Sequence, residues 1–267
     1  MLQNLPWYGY VILVIGIASY AYKYFMKAKE GYDESDLKTA KFKLSEESTL
    51  TKEQQFAIAF YTPISEWFGA DTNTLTFVNP KVANRYLKGW NMHIKEGYWD
   101  MAEYFMKDGR RWYYDYIYNM MKTQPTENWD ALMNDYFGAN DRALRYFKEL
   151  KADKALNELK LQGIITFDTE MDLGIVGYDA GTLVGQARKA YTADLITEDE
   201  AFKVINFARE LALNHFSSWE EFGKSFILGF AFDQQHRERS YREEVYHLYK
   251  QTMESDQSPW NTIKWPS

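Results

Sequence analysis

No cysteine occurs in the 267 residues, so the chain has neither a disulfide framework nor a thiolate metal site. Histidine is scarce. His93, His215, His236 and His247 show no zinc-motif spacing with a third ligand, and no His-Glu-x-x-His run is present. Ser217, Ser218 and Ser225 lack the strand-to-helix elbow that presents a catalytic serine, so serine hydrolysis has no support. The strand-to-helix glycine fingerprint that cradles phosphates is missing too. Positive charge is in the minority. The formal net charge is −7, and setting aside Lys23, Lys27, Lys29 and Glu30 leaves the remainder at −9. A surface of that sign repels phosphate backbones and excludes general nucleic-acid binding. Arg237, Arg239 and Arg242 are the one dense basic cluster. No cofactor and no metal is expected.

What the chain does have begins with an uncharged run from Leu5 to Tyr22. A helix needs roughly 20 apolar residues, at about 1.5 Å each, to cross a hydrocarbon core. Leu5, Trp7, Val11, Ile15 and Tyr22 mark such a span, which reaches length if Lys23 snorkels and residues to 26 sit at the interface. Trp7, Tyr8 and Tyr10 at one end and Tyr20, Tyr22 and Tyr24 at the other resemble interfacial aromatic belts. A cleavable leader would carry a basic stretch before the run and small residues at its end, and neither is found. Lys23, Lys27 and Lys29 follow the run, which places the C-terminal part in the cytosol. The expectation is a single-pass protein of the bacterial inner membrane, contacting the lipid bilayer through residues 5–26.

Aromatics make up 18% of the chain, ample material for a core beyond the anchor. Residues 27–50 are polar and read as a juxtamembrane linker, 51–254 as a helical domain, and 255–267 as a tail, loose apart from Trp260 and Trp265. Thr51-x-x-Gln54 is a capping box, with Phe56, Ala59, Phe60 and Ile64 at helical spacing behind it. Residues 71–79 read as a loop or one short strand. Pro80 suits a first helical turn, and Asp108-Gly109 separates helices over 96–107 and 110–121. Helical patterns continue over 126–137 and 140–161. Thr197-x-x-Glu200, Ser218-x-x-Glu221 and Ser240-x-x-Glu243 open three more. Gly177, Gly181 and Gly185 form a strip for close helix packing if residues 172–190 are helical. The fold class is all-α: one N-terminal transmembrane helix followed by a compact multi-helix domain.

The stretch Gly177-Tyr178-Asp179-Ala180-Gly181, Leu183-Val184 and Ala187-Arg188 precedes Leu195-Ile196-Thr197-Glu198-Asp199-Glu200-Ala201-Phe202. Ser217-Ser218-Trp219-Glu220-Glu221-Phe222-Gly223 and Leu228-Gly229 follow. This arrangement resembles the bacterial domain of unknown function 1266 family, over about residues 50 to 235. Leu50-Thr51-Lys52-Glu53-Gln54 and Gly89-Trp90-Asn91-Met92 are similar to two further points of its pattern. Thr182 stands where members usually carry Arg, and Asn91 where they usually carry Gly. The resemblance implies fold and bacterial origin, and by analogy an accessory or immunity-type component of a toxin system.

Three constellations carry potential chemistry. Asp168, Glu170 and Asp172 could offer oxygens to a hard cation, or complement the dipole of a following helix. Asp179, inside an apolar helix, needs a partner, which Arg188 or the Trp219 helix could supply. Asp179, Arg188, Glu220, Glu221 and His236 form a candidate polar cluster that is functional or structural. The favoured function is a non-enzymatic, membrane-tethered module that binds another protein. The alternative is an enzyme with an acidic cleft formed by Asp179, Glu220, Glu221 and His236, and convergence of those groups would distinguish the two.

Overall fold

A helix start is favoured where the backbone N–H groups of its first turn find acceptors, and in the computed structural model Thr51, Asn79, Asn140, Thr197, Ser218 and Ser258 supply such acceptors. The structure describes residues 37–266. The expected span from Leu5 to Tyr22 lies outside them. Among the described residues no strand occurs, and no helix is long and apolar enough to cross a membrane. Residues from Thr39 onward form one unit.

Thr51 closes its capping box with Gln54 and opens α1 (Lys52–Ile58), which passes through a 3-10 turn (Ala59–Tyr61) into α2 (Thr62–Phe68). Residues 71–79 are loop. Asn79 caps α3 (Pro80–Gly89), with Pro80 at the position where its missing N–H costs nothing. Then come α4 (Lys95–Lys107), α5 (Arg111–Thr123) and α6 (Trp129–Phe137), the last after a 3-10 turn at Thr126–Asn128. The helical pattern over 140–161 is two helices, α7 (Asp141–Ala152) and α8 (Lys154–Leu161). They break at Asp153, whose φ of +50° is left-handed, a conformation Asp tolerates better than most residues.

A 3-10 segment (Asp168–Leu173) leads into α9 (Val176–Thr192). Helices α10 (Glu198–Leu213), α11 (Trp219–Asp233), α12 (Arg239–Glu254) and α13 (Pro259–Thr262) complete the chain. Thr197–Glu200 is a full capping box, whereas Ser218 caps α11 alone, because Glu221 turns to Ser217. Ser240 caps nothing. Helix α12 begins one residue earlier, and the Glu243 carboxylate is taken by Arg239 at 2.7 Å.

Helix α9 is the axis of the domain, with 16 of its 17 residues buried. It packs against α10 and α11, with α3, α4 and the 59–61 turn on its remaining sides. The glycine strip makes this possible. A Cβ on Gly177 would lie 2.6 Å from the Phe222 carbonyl oxygen, and one on Gly185 would lie 2.4 Å from the Tyr61 ring. Neither end of the domain is loose. Ala40 donates its N–H to Gln251 Oε1 (2.6 Å) and Lys41 donates to Glu66 Oε2 (2.7 Å), so residues after 39 are held to the helices. At the other end Trp260 is buried, and its indole N–H donates to the Ala59 carbonyl at 2.7 Å. Trp265 stacks on Phe60 at 6.1 Å, so the tail closes the core.

Candidate functional site

Five segments leave a concavity of about 580 Å³ between them. The α1–α2 region supplies Tyr61, Ile64, Trp67 and Phe68, and α3 with its C-terminal cap supplies Val82, Arg85, Tyr86, Gly89 and Trp90. Tyr178 and Thr182 come from α9, Phe230 and Gln234 from the end of α11, and Arg237, Glu238 and Tyr241 from the start of α12. That volume is in the range of small-molecule sites. Tyr86 and Trp90, four residues apart on one face of α3, stack with centroids 6.0 Å apart.

The inner wall is propped by buried charge. Arg110 and Asp233 form an ion pair at 2.5 Å with both side chains nearly inaccessible. Arg110 Nη1 donates to the Tyr178 hydroxyl (3.1 Å), which donates to Asp233 Oδ2 (3.0 Å). Gln234 Nε2 donates to the same carboxylate oxygen at 2.5 Å. Burial opposes the Arg110 charge, but Asp233 beside it prevails and the net shift is upward. The guanidinium also lies 5.2 Å from the Trp90 ring centre. A second support is Lys189, wholly buried, with Nζ 4.3 Å from the ring centres of Tyr61, Phe77 and Tyr86. It donates to the Tyr61 hydroxyl (3.0 Å) and the Gly185 carbonyl (3.2 Å), and among the described residues no carboxylate pairs with it. Burial first, then the neighbouring Arg188, pushes its pKa well below the ordinary lysine value.

The candidate polar residues do not meet. Asp179 is fully buried, and its partner is Arg111: Oδ2 accepts from the Arg111 backbone N–H at 2.9 Å and from Nη1 at 3.1 Å. Burial dominates and holds the Asp179 carboxyl at about 6. Arg188 is not its partner. Nine residues on one helix turn through roughly 900°, which puts the two on opposite faces. Arg188 instead donates to Ser65 Oγ (2.8 Å) and to the carbonyls of Asp71 (2.6 Å) and Thr76 (3.1 Å). Burial lowers it to about 10. Exposed Glu220 pairs with Lys224 at 2.9 Å. Glu221 accepts from the Ser217 N–H and hydroxyl, at 2.7 and 2.8 Å, which lowers its pKa. His236 is exposed, with Nδ1 3.0 Å from the Asp233 carbonyl.

Asp168, Glu170 and Asp172 do not share a cation either. They pair separately with Lys160 (2.5 Å), Lys224 (2.6 Å) and Lys122 (2.6 Å). In a 3-10 helix of about three residues per turn, alternate residues point in three different directions. Among the described residues no group of three ligating side chains could hold a metal ion.

Reading the sequence did not single out the cavity, Lys189 or the Arg110–Asp233 pair. One signal was on view. Arg188-Lys189 lies between Ala187 and Ala190 in a helix with a glycine packing strip, and burial of that helix was bound to make both residues costly. Asn91, where the resemblance leads one to expect Gly, has φ of +58°, the left-handed region in which Asn is the best substitute for Gly. Thr182, at the expected Arg position, lines the cavity.

A family model described as protein of unknown function (DUF1266) matches residues 87–265, and the chain belongs to that family. The match takes in Gly89-Trp90 and the Ser217–Gly229 block, runs on through the closing tryptophans, and leaves the 50–54 point outside. No curated protein and no solved structure matches the chain.

Proposed function

We propose that this chain is a membrane-tethered protein-interaction module whose helical domain faces the cytosol. One observation carries the interaction. Trp112 and Tyr136 are 47% and 64% exposed, in a surface cluster with Tyr116 and Phe137. Ring centres there lie 4.9–5.4 Å apart across α5 and α6. Tryptophan and tyrosine give large contact area at little entropic cost and dominate binding hot spots. A chain with this acidic excess favours a partner with a basic face. The tether is the uncharged Leu5–Tyr22 run in a bacterial inner membrane, oriented by the lysines after it. The reading of an acidic enzyme cleft has less behind it, because Asp179, Glu220, Glu221 and His236 each bond to different groups. An immunity-type role rests on the family resemblance alone.

The test is a Trp112→Ala/Tyr136→Ala variant of the full chain, captured from membranes beside the parent. It should lose the parent's co-purifying protein and keep its melting temperature. Retention of that protein would overturn the interaction surface. The chain should stay in membranes through a high-salt wash, and protease added to spheroplasts should spare the domain. Its digestion from outside would reverse the orientation.

A further inference from the structure

The aromatic cavity is separate from the Trp112 surface, and its polar groups point to what it holds. The chain has ten arginines. Arg110, Arg111, Arg145, Arg209, Arg239 and Arg242 are ion-paired. Arg188 bonds to carbonyls and Arg142 lies over the Tyr104 ring. Among the described residues only Arg85 and Arg237 have no side-chain hydrogen bond, ion pair or cation–ring contact, and both line this cavity. In a chain whose acidic residues outnumber its basic ones, two unpaired guanidiniums in one place are a local reversal of charge. Among the described residues Glu238 is the one carboxylate in the lining, against the two arginines.

Farther in, the Thr182 hydroxyl has no hydrogen-bond partner among the described residues, although the residue is only 6% exposed and lines the cavity. Gln234, equally buried, spends its amide N–H on Tyr178 and Asp233, and its Oε1 bonds to none of the described residues. Most of the remaining wall is aromatic, Trp67, Phe68, Tyr86 and Trp90 among it. Flat rings are the natural filling for such a wall. A planar guanidinium is likewise matched to a carboxylate or phosphate.

We infer that the cavity binds a small aryl acid. Its ring lies among the aromatic side chains, its anionic group meets Arg85 and Arg237, and a polar ring atom reaches Thr182 and Gln234. A cationic aryl ligand would meet those two arginines, with Arg110 behind them. A purely apolar one would leave the Thr182 hydroxyl unsatisfied.

Three probes of nearly one shape separate these cases by charge: indole-3-acetate, indole and tryptamine. Calorimetric titration of the full-length chain should give indole-3-acetate at least about tenfold tighter binding than the other two. Arg85→Gln/Arg237→Gln should remove that preference, Thr182→Val should weaken all indole binding, and Trp112→Ala should change neither. Melting curves of each variant confirm the fold, and both arginines are exposed, so loss of folding is not expected. Equal or tighter binding of tryptamine or indole would overturn the assignment. So would an arginine variant that keeps the preference, or the absence of heat with all three probes. The Trp112 surface stands or falls by its own capture experiment.

Discussion

Two aromatic clusters share the helices of this domain, and one is shut while the other is open. In the first, Phe56, Phe60, Trp219, Phe222, Trp260 and Trp265 pack ring against ring with centroids 4.6–6.1 Å apart. Its three indole N–H groups all reach backbone carbonyls, Trp219 to Ile263, Trp260 to Ala59 and Trp265 to Phe216. In the second, Trp67, Phe68, Tyr86, Trp90, Phe230 and Tyr241 surround a void. Composition does not separate them. The first has a C-terminal segment that folds over it, while the second is backed by Lys189 and by Arg110–Asp233, charged or polar groups satisfied only in this arrangement. An apolar wall can collapse to fill a gap. A wall anchored by hydrogen-bonded and ion-paired buried groups resists that, since each displaced bond leaves a desolvated group without a partner.

The largest effect should come from opening the closed cluster. Trp260→Ala should cost about 3–5 kcal/mol, read by denaturant or thermal unfolding, and Trp219→Ala should approach it. A loss below about 1 kcal/mol would mean that the tail merely rests on the core. Asp179→Asn comes next, with an expected cost of about 2 kcal/mol. A buried pair losing one partner usually suffers more, but Arg111 keeps the Phe105, Met106 and Lys107 carbonyls at the C-terminus of α4. A fully stable yet inactive Asp179→Asn protein would instead make this carboxylate a working group.

Lys189→Met tests the support of the open cluster and should change stability by no more than about 1 kcal/mol near neutral pH, since the amine is buried without a counter-charge. Its signature is in the pH dependence. The folded amine has a depressed pKa, so the unfolded chain binds the extra proton, and Lys189 should make stability rise with pH from its folded pKa toward about 10.4. Burial raises the pKa of Tyr61 and Tyr178, which makes stability fall above about pH 10, so the window to compare is pH 8 to 9.5. The Lys189→Met protein should show a flatter slope there, and an unchanged slope would mean that the amine is charged in the fold. Smallest of all, Arg85→Gln/Arg237→Gln should move stability by less than about 0.5 kcal/mol, because neither side chain bonds to another described residue. A larger loss would make them structural and would blur the contrast between the two clusters.

How far the fold was legible follows the same division. Thr51 with Gln54, Thr197 with Glu200 and Pro80 all act within one turn of chain, so their pattern alone announces a helix start. Asp108-Gly109 was equally plain. Gly109 has φ of +65°, and a Cβ there would sit 2.1 Å from Asp179 Oδ2, so the stop signal is also the seat of the buried carboxylate. Ser240 shows the limit of such signals, because Arg239 competes for the acid that would have completed the box. The cavity had no signal of this kind. Its wall comes from five segments, and the aromatic residues that line it look no different in sequence from those that fill the closed core.

By itself, then, the sequence determined the all-α class, most helix starts, the close-packed glycine face of α9 and membership of the family, because each depends on neighbours a few residues apart or on a contiguous pattern. Tertiary structure decided the rest. Asp179 finds Arg111 across 68 residues and Trp260 finds Ala59 across 201. Which aromatic cluster closes depends on where the last helix lands. Burial assigns the cost of a charge, and burial is a property of the assembled fold: the same Lys189 would be an ordinary ammonium on a helix in water, and is an uncompensated amine only because four aromatic rings close around it.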